Sequence, residues 1–310
     1  MRLPSGIGDR VLYGLCGLAG LASVAILGEV LYQVIHGASP AISKFGIGFI
    51  GHAAWNPVKN IFGASAAIYG TVMSSLMALL IATPLGIAIG LYLSLMAPRS
   101  VRRIVGPLVE MLAAIPSVIV GFWGVVVLAP FIAGTVEPFL HSVLGFIPLF
   151  GPQQTTGLSI FTAGVGLTVM VLPIIAALSR DLFLTVPQEL RDGAAALGST
   201  NWEIIRGVVL PTTASGVAAA TVLALGRALG ESIAVLQMIG DGAGIHKSLF
   251  QPGISLASRI ASEFQSIQTR YDLPSLFYLA LILLVIGLIT SVLARVIASR
   301  FDVRQGLLAR

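Results

Sequence analysis

Arg227 and Glu231 are charged residues inside an apolar run, Thr212 to Gly240. An ionisable group near the bilayer centre costs about 2.5 to 3.5 kcal/mol even on the lenient insertion scale, so something must offset it. A guanidinium presents a planar fork of donors that meets two oxygens of a phosphate or carboxylate at once. On a continuous helix the i, i+4 spacing puts Arg227 and Glu231 on one face, where the carboxylate can hold the guanidinium as a surrogate anion. Counted from Pro211, Arg227 lies roughly 24 Å and Glu231 roughly 30 Å along the helix, the outer part of the span unless tilt lowers both. Two readings stay open: an oxyanion path through the bundle, or a structural ion pair between helices.

The remaining polar residues suggest less chemistry. Glu110 is about 10 Å up its helix from Arg103, too low to reach Arg227, and can snorkel to the interface or meet a basic loop residue. Its role reads as structural, as do those of Pro116 and Ser117 at a kink of the same run. Glu29 belongs to the outer part of the first run, facing headgroups or an outer vestibule. The four histidines, His36, His52, His141 and His246, are dispersed near outside loops and predict no metal site. Cys16 is the single cysteine, which excludes an intrachain disulfide and a cysteine metal cluster. No nucleophile, base and oxyanion set can be assembled, and no G-x-x-x-x-G-K-[ST] segment is present to cradle nucleotide phosphates. The expectation is a chain that is no enzyme and carries no cofactor.

The elements that must position these residues follow from composition. Of 310 residues, 56% are hydrophobic and 10% charged, against roughly 25% charged in soluble domains. Six apolar runs, Val11 to Ile35, Tyr69 to Met96, Val105 to Ala133, Leu158 to Leu178, Thr212 to Gly240 and Leu276 to Ala298, each meet the ~20 residues needed to span a bilayer. The fold class is an all-α integral membrane protein of about six transmembrane helices. Prolines 84, 116 and 173 permit kinks within three of the runs. The first run is too long for the ~7 to 15 residue core of a signal peptide and reads as an uncleaved span. Net charge is +5, but the basic residues sit at the ends of apolar runs, so lipid headgroups rather than nucleic acid are their partners.

An N-in, C-in topology places Arg2, Arg10, Arg99, Arg102, Arg103, Arg180, Arg191, Arg206, Arg295, Arg300, Arg304 and Arg310 in the cytoplasm. Lys44, Lys59, Lys247, Arg259 and Arg270 remain outside, which satisfies the positive-inside rule. Residues 1–68 then hold the first span and an outer loop, 69–298 the main transmembrane domain, and 299–310 a cytoplasmic tail. Leu256, Ala257, Ile260, Ala261, Phe264 and Ile267 form an amphipathic stretch in an outer loop, suited to lie on the membrane surface or to cap a pore. Gly86 and Gly90 form a close-packing pair.

The cytoplasmic loop 179–211 has the densest signals. Thr185 with Gln188, and Thr200 with Glu203, read as capping boxes opening two short helices. Gly198 supplies a left-handed stop between them, and Pro211 is expected to end the second. The product is a rigid elbow of Glu189, Arg191, Asp192, Gly193, Ala194, Ala195, Leu197 and Gly198. Asp192-Gly193-Ala194, then Gly198, then Val208-Val209-Leu210-Pro211 resemble the cytoplasmic signature of ABC importer permeases, with Asp, Gly and Val in place of the commoner Glu, Ala and Ile.

That resemblance implies a type I ABC importer permease fold, with the elbow docking into a separate nucleotide-binding subunit. Trp55-Asn56-Pro57, Phe62-Gly63-Ala64, Tyr69-Gly70-Thr71, Glu110 to Val118 and Gly226 to Val235 are similar to the PstC-type permeases of phosphate importers. Gly230-Glu231-Ser232-Ile233 departs from the Gly-Glu-Thr-Ala-Pro of the sister PstA type. The resemblance implies phosphate as substrate and a bacterial inner-membrane location. It also implies a second homologous permease, two ATP-binding subunits that use ATP and Mg, and an extracytoplasmic phosphate-binding protein. Alternatives are an ABC permease for molybdate or sulfate, the PstA-type sister, or an ATP-independent channel or secondary transporter.

Overall fold

The structure, a computed structural model, describes residues 7–152 and 156–308; Arg2 and Arg310 of the charge tally lie outside them. In chain order the main helices are α1 (Ile7–Phe45), α2 (Ser65–Leu91), α3 (Arg99–Ala113), α4 (Ser117–Trp123), α5 (Ile160–Leu184) and α6 (Gln188–Ala196). They continue with α7 (Leu210–Gly230), α8 (Ile233–Ile239), α9 (Leu256–Glu263) and α10 (Asp272–Leu308). Six helical stretches among the described residues are long and apolar enough to cross a membrane. The protein is a multi-pass membrane protein.

The bundle is organised about α5, whose most apolar window is 72% buried. Its closest partner is α2, which approaches through the two glycines of the small-residue pair. A β-carbon at Gly86 would lie 2.8 Å from Ile175 Cγ2, and one at Gly90 would lie 3.0 Å from the Arg180 backbone nitrogen. The G-x-x-x-G pair is therefore used inside this chain. At the other extreme, the apolar window of α1 has no buried residue, so that stretch of the helix stands clear of the rest of this chain.

Among the described residues four turns of π-helix occur in the spans, at Tyr92–Met96, Gly124–Leu128, Ile132–Val136 and Ile205–Val209. Each ends two residues before a proline, namely Pro98, Pro130, Pro138 and Pro211. A proline has no N–H to give, and its ring collides with the carbonyl four residues back. Widening the preceding turn to i→i+5 bonding moves that carbonyl aside; the helical path then runs on through Pro130, Pro138 and Pro211, whereas before Pro98 it stops at Met96. Pro211 is thus no terminator, contrary to the sequence expectation: the helical path passes through it from Asn201 to Gly230.

Two spans differ from their sequence boundaries. The run from Val105 to Ala133 is two elements, because the chain breaks at Ala114 to Pro116, where Pro116 is extended (φ −57°, ψ 134°). The amphipathic α3 precedes the break, and the membrane span begins at Ser117 and runs to Leu144. Likewise the run from Thr212 to Gly240 breaks at Glu231 and Ser232, so α7 and the short α8 are separate helices. Hydropathy averages over such breaks, since most residues flanking them are apolar or small.

The outer end of the bundle is closed by the long loops. Phe49 stacks on Tyr278 with ring centroids 4.4 Å apart, and Trp55 meets Phe62 edge-on at 4.9 Å. The amphipathic stretch forms α9, opened by a Ser255–Ser258 capping box, with Leu256, Ala257 and Ser258 buried against the bundle. Its first N–H, on Leu256, donates to Thr71 Oγ1 at 2.8 Å. One residue before Thr71, Gly70 lets the loop press on α2, and a β-carbon there would overlap the Ile254 carbonyl oxygen. Gly70→Ala should therefore destabilise the fold by about 1–3 kcal/mol through overpacking against backbone. Thermal unfolding in detergent reads this, with Gly14→Ala, where a β-carbon meets nothing within 4 Å, showing no such loss.

Candidate coupling elbow and translocation path

The elbow is built from the end of α5. Thr185 is the residue after α5, and its hydroxyl donates to the Leu182 carbonyl at 2.7 Å. It closes α5 rather than opening α6, so the expected Thr185–Gln188 box is absent. Pro187 leads into α6 with no side-chain cap, and its fixed φ does the positioning. Gly198 then reverses the chain at φ +87°. Its N–H bonds the Ala195 carbonyl at 2.9 Å, and the Ser199 N–H bonds that of Ala194 at 3.2 Å. The Thr200–Glu203 capping box opens the next helix, with Thr200 N–H donating to Glu203 Oε2 at 2.8 Å.

This elbow projects from the bundle, and none of α6 is buried. Glu189, Asp192, Gly193 and Ala195 are exposed, and Leu197 is 89% exposed at the tip with Trp202 63% exposed beside it. Arg191 is half-buried and lines a groove of about 460 Å³ with Leu95, Asp192, Ala195 and Ile205. The root is anchored by a separate apolar cluster of Phe183, Val186, Val209 and Val217. Because this cluster joins the last turn of α5 to the first turns of α7, a force on the elbow reaches two spans at once.

Glu110 stands at the same end of the bundle. Its Oε1 accepts from Arg180 Nη2 at 2.7 Å, and Arg180 also reaches Asp181 at 2.8 Å. On the other side of α3, Arg102 Nη2 donates to the Ser94 carbonyl at 2.7 Å. These contacts tie the amphipathic α3 to α2 and α5.

Arg227 and Glu231 do not form the pair that their spacing suggests. Glu231 caps the end of α7 in an extended conformation (φ −73°, ψ 118°), so it has left the helical face that carries Arg227. Its carboxylate turns toward the N-terminus of α8, where Oε1 lies 3.4 Å from the Ala234 N–H. No ion pair among the described residues includes Arg227 or Glu231.

Depth is set by the neighbours. The top of α8 meets the start of α5, where the Ser159 N–H bonds the Met238 carbonyl at 3.0 Å. Arg227 shares a groove with Ile174, roughly 21 Å along α5 from its outer end, which puts the guanidinium near half-height rather than in the outer part of the span.

The two breaks lie side by side. A β-carbon at Gly121 of α4 would overlap Gln237 and lie 2.8 Å from Ala234 Cα, and one at Gly124 would overlap Met238. This parallel register brings Ser117, just after the Pro116 break, level with the Glu231–Ser232 break. Two helix breaks therefore meet at one level, with a carboxylate at one of them and a guanidinium one turn away. Sequence spacing could not indicate this, because the glycine contacts that align α4 with α8 join residues more than 100 positions apart.

The family model described as "Binding-protein-dependent transport system inner membrane component" matches residues 82–303, a stretch that includes the elbow and both breaks. The chain belongs to this family. A permease of this kind has relatives over nearly its whole length. It is 41% identical over 303 residues, 96% of this chain and 92% of the relative, to the phosphate transport system permease protein PstC of Mesorhizobium japonicum. It is 39% identical, over 91% of this chain and 88% of the relative, to the protein of the same name from Pasteurella multocida.

Among solved structures, a chain of the bacterial alginate ABC transporter, in complex with an alginate pentasaccharide-bound periplasmic protein, superposes with TM-score 0.61 at 17% identity. That match covers 94% of this chain and 96% of the other. A chain of the inward-facing MetNI methionine ABC transporter superposes with TM-score 0.54 at 20% identity, covering 80% and 96%. These two likenesses establish the fold, that of type I ABC importer permeases.

The two elbow glycines should respond in opposite directions to the same substitution. Gly198→Ala forces a left-handed backbone on a residue with a β-carbon, costing about 1–2 kcal/mol. Gly193→Ala fills an open position within α6 and should strengthen that helix by about 1 kcal/mol. Hydrogen exchange at the amides of residues 188–197 distinguishes them: faster in the first variant, slower in the second.

Proposed function

We propose that this chain is one of two permease subunits of an ATP-driven importer that moves inorganic phosphate into the cell across a bacterial inner membrane. The observation that carries this reading is 41% identity along 96% of the chain to a phosphate transport system permease. The site supports it chemically. A phosphate ion crossing a low-dielectric bundle needs a fixed cation with more than one donor, and Arg227 offers a guanidinium at membrane depth with no carboxylate bound to it.

Glu231, parked on the Ala234 N–H, is a mobile carboxylate one turn away that can hold Arg227 once the anion has left. A permanently bare guanidinium would retain phosphate too tightly. The exposed elbow, Glu189 to Gly198, docks on one of two ATP-binding subunits, which bind ATP and Mg, and no bond-making chemistry falls to this chain. Closure of those subunits pushes the elbow, and the Phe183–Val186–Val209 cluster passes the displacement to α5 and α7, rocking the spans between outward and inward access. A phosphate-binding protein on the outer face delivers the substrate.

Phosphate uptake by cells lacking this chain tests the path. The wild-type sequence should restore it, and Arg227→Gln should lower it at least tenfold while the complex still assembles. Retained uptake in the variant would remove Arg227 from the path. In the same complex, Ala195→Cys should crosslink to the ATP-binding subunit, and failure to do so would overturn the coupling assignment. Competition by molybdate or sulfate for the same uptake would redirect the substrate assignment.

A further inference from the structure

Between α5, α7 and α10 lies a groove of about 650 Å³ with apolar walls that include Ile174, Val222 and Leu223. Its polar side chains are Arg227, Ser291 and Arg295. Ser291 and Arg295 are one turn apart on α10, so they face the groove together with a rise of about 6 Å between them. Arg227 enters from α7 near half-height, while Arg295 lies near the end of the apolar run of α10, which continues to Ala298.

No ion pair among the described residues involves either guanidinium. Two like charges facing one low-dielectric groove repel each other, and an anion with several charged oxygens between them turns that repulsion into attraction. Their fork geometry selects a phosphate group over a halide, because each arginine can engage two oxygens. The Ser291 hydroxyl, one turn from Arg295 on α10, supplies a further donor.

We propose that Arg227, Ser291 and Arg295 form a binding site for a phosphate-type oxyanion, with Arg295 holding the anion on the cytoplasmic side of Arg227. Two sources have this chemistry. One is inorganic phosphate in transit, for which Arg295 is an inner station on the path; this arm rests on the proposed function. The other is the headgroup of an anionic phospholipid from the cytoplasmic leaflet, since basic pockets between spans on that side hold such headgroups.

The test uses the whole importer, with its partner subunits, reconstituted in zwitterionic vesicles and in vesicles containing phosphatidylglycerol. Arg295→Gln should lower phosphate uptake in zwitterionic vesicles about fivefold or more, with Arg295→Lys recovering much of it, if the anion is phosphate in transit. If the anion is a headgroup, native mass spectrometry should find phosphatidylglycerol retained by the wild-type complex and lost from Arg295→Gln. Wild-type uptake together with wild-type lipid retention in Arg295→Gln overturns the proposal.

Should Arg295→Gln fail to assemble, Ser291→Ala and Arg295→Lys are compared in the same two assays, and wild-type values for both variants in both assays likewise overturn it. Full uptake in Arg227→Gln combined with lost lipid retention in Arg295→Gln would defeat the transport role of Arg227 and leave the anion site standing.

Discussion

In hydrocarbon there is no water to take up a freed backbone N–H or carbonyl, so a helix can be interrupted at membrane depth only where protein closes around the break. This permease breaks its helical path twice at one level, after Ala113 and after Gly230, and contacts from distant segments hold the second break. Gly121 and Gly124 let α4 lie directly on α8, with Ala234, Gln237 and Met238 in contact. The Glu231 carboxylate covers the N-terminus of α8. The buried outer loop then seals the top, since the Gly253 N–H bonds the Ile239 carbonyl at 2.9 Å where α8 ends.

The same constraint explains how so many prolines coexist with long spans. A proline in a water-exposed helix can end it, because solvent satisfies the freed groups. Within the spans a wide turn precedes Pro130, Pro138 and Pro211, while Pro84 and Pro173 sit in unbroken α-helix. Wide turns are also soft points. The one at Ile205–Val209 lies between the elbow and α7, where the proposed coupling signal would enter the bundle.

Rigidity and looseness are distributed accordingly. The α2–α5 pair, locked by Gly86 and Gly90 against Ile175 and the Ser179–Arg180 backbone, is the fixed part of the bundle. The elbow has almost no buried surface of its own and depends on internal caps and on its root cluster. Under the proposed function, a part pushed by another polypeptide gains from being stiff along its own axis and lightly attached to its surroundings. The charged residues of α3 and α5, Arg180 with Glu110 and Asp181, mark where the fixed part meets the cytoplasmic interface.

Much of this was legible in the amino-acid order. Apolar run length dictated six spans, arginine placement dictated orientation, and Gly198 with the Thr200–Glu203 box dictated the elbow, because each is a local rule that a short segment obeys alone. The pairing of Arg227 with Glu231 looked equally local and was not, since it required a continuous helix through Glu231. Whether that helix continues is decided by α4 and α5 packing on α8, contacts between residues far apart in the chain. The same holds for Thr185, which either of two adjacent helices could have claimed, and for Arg295, which only the fold brings to the groove of Arg227. Length and polarity determine which segments enter the bilayer; close packing among them determines where a helix stops and which charges share a cavity.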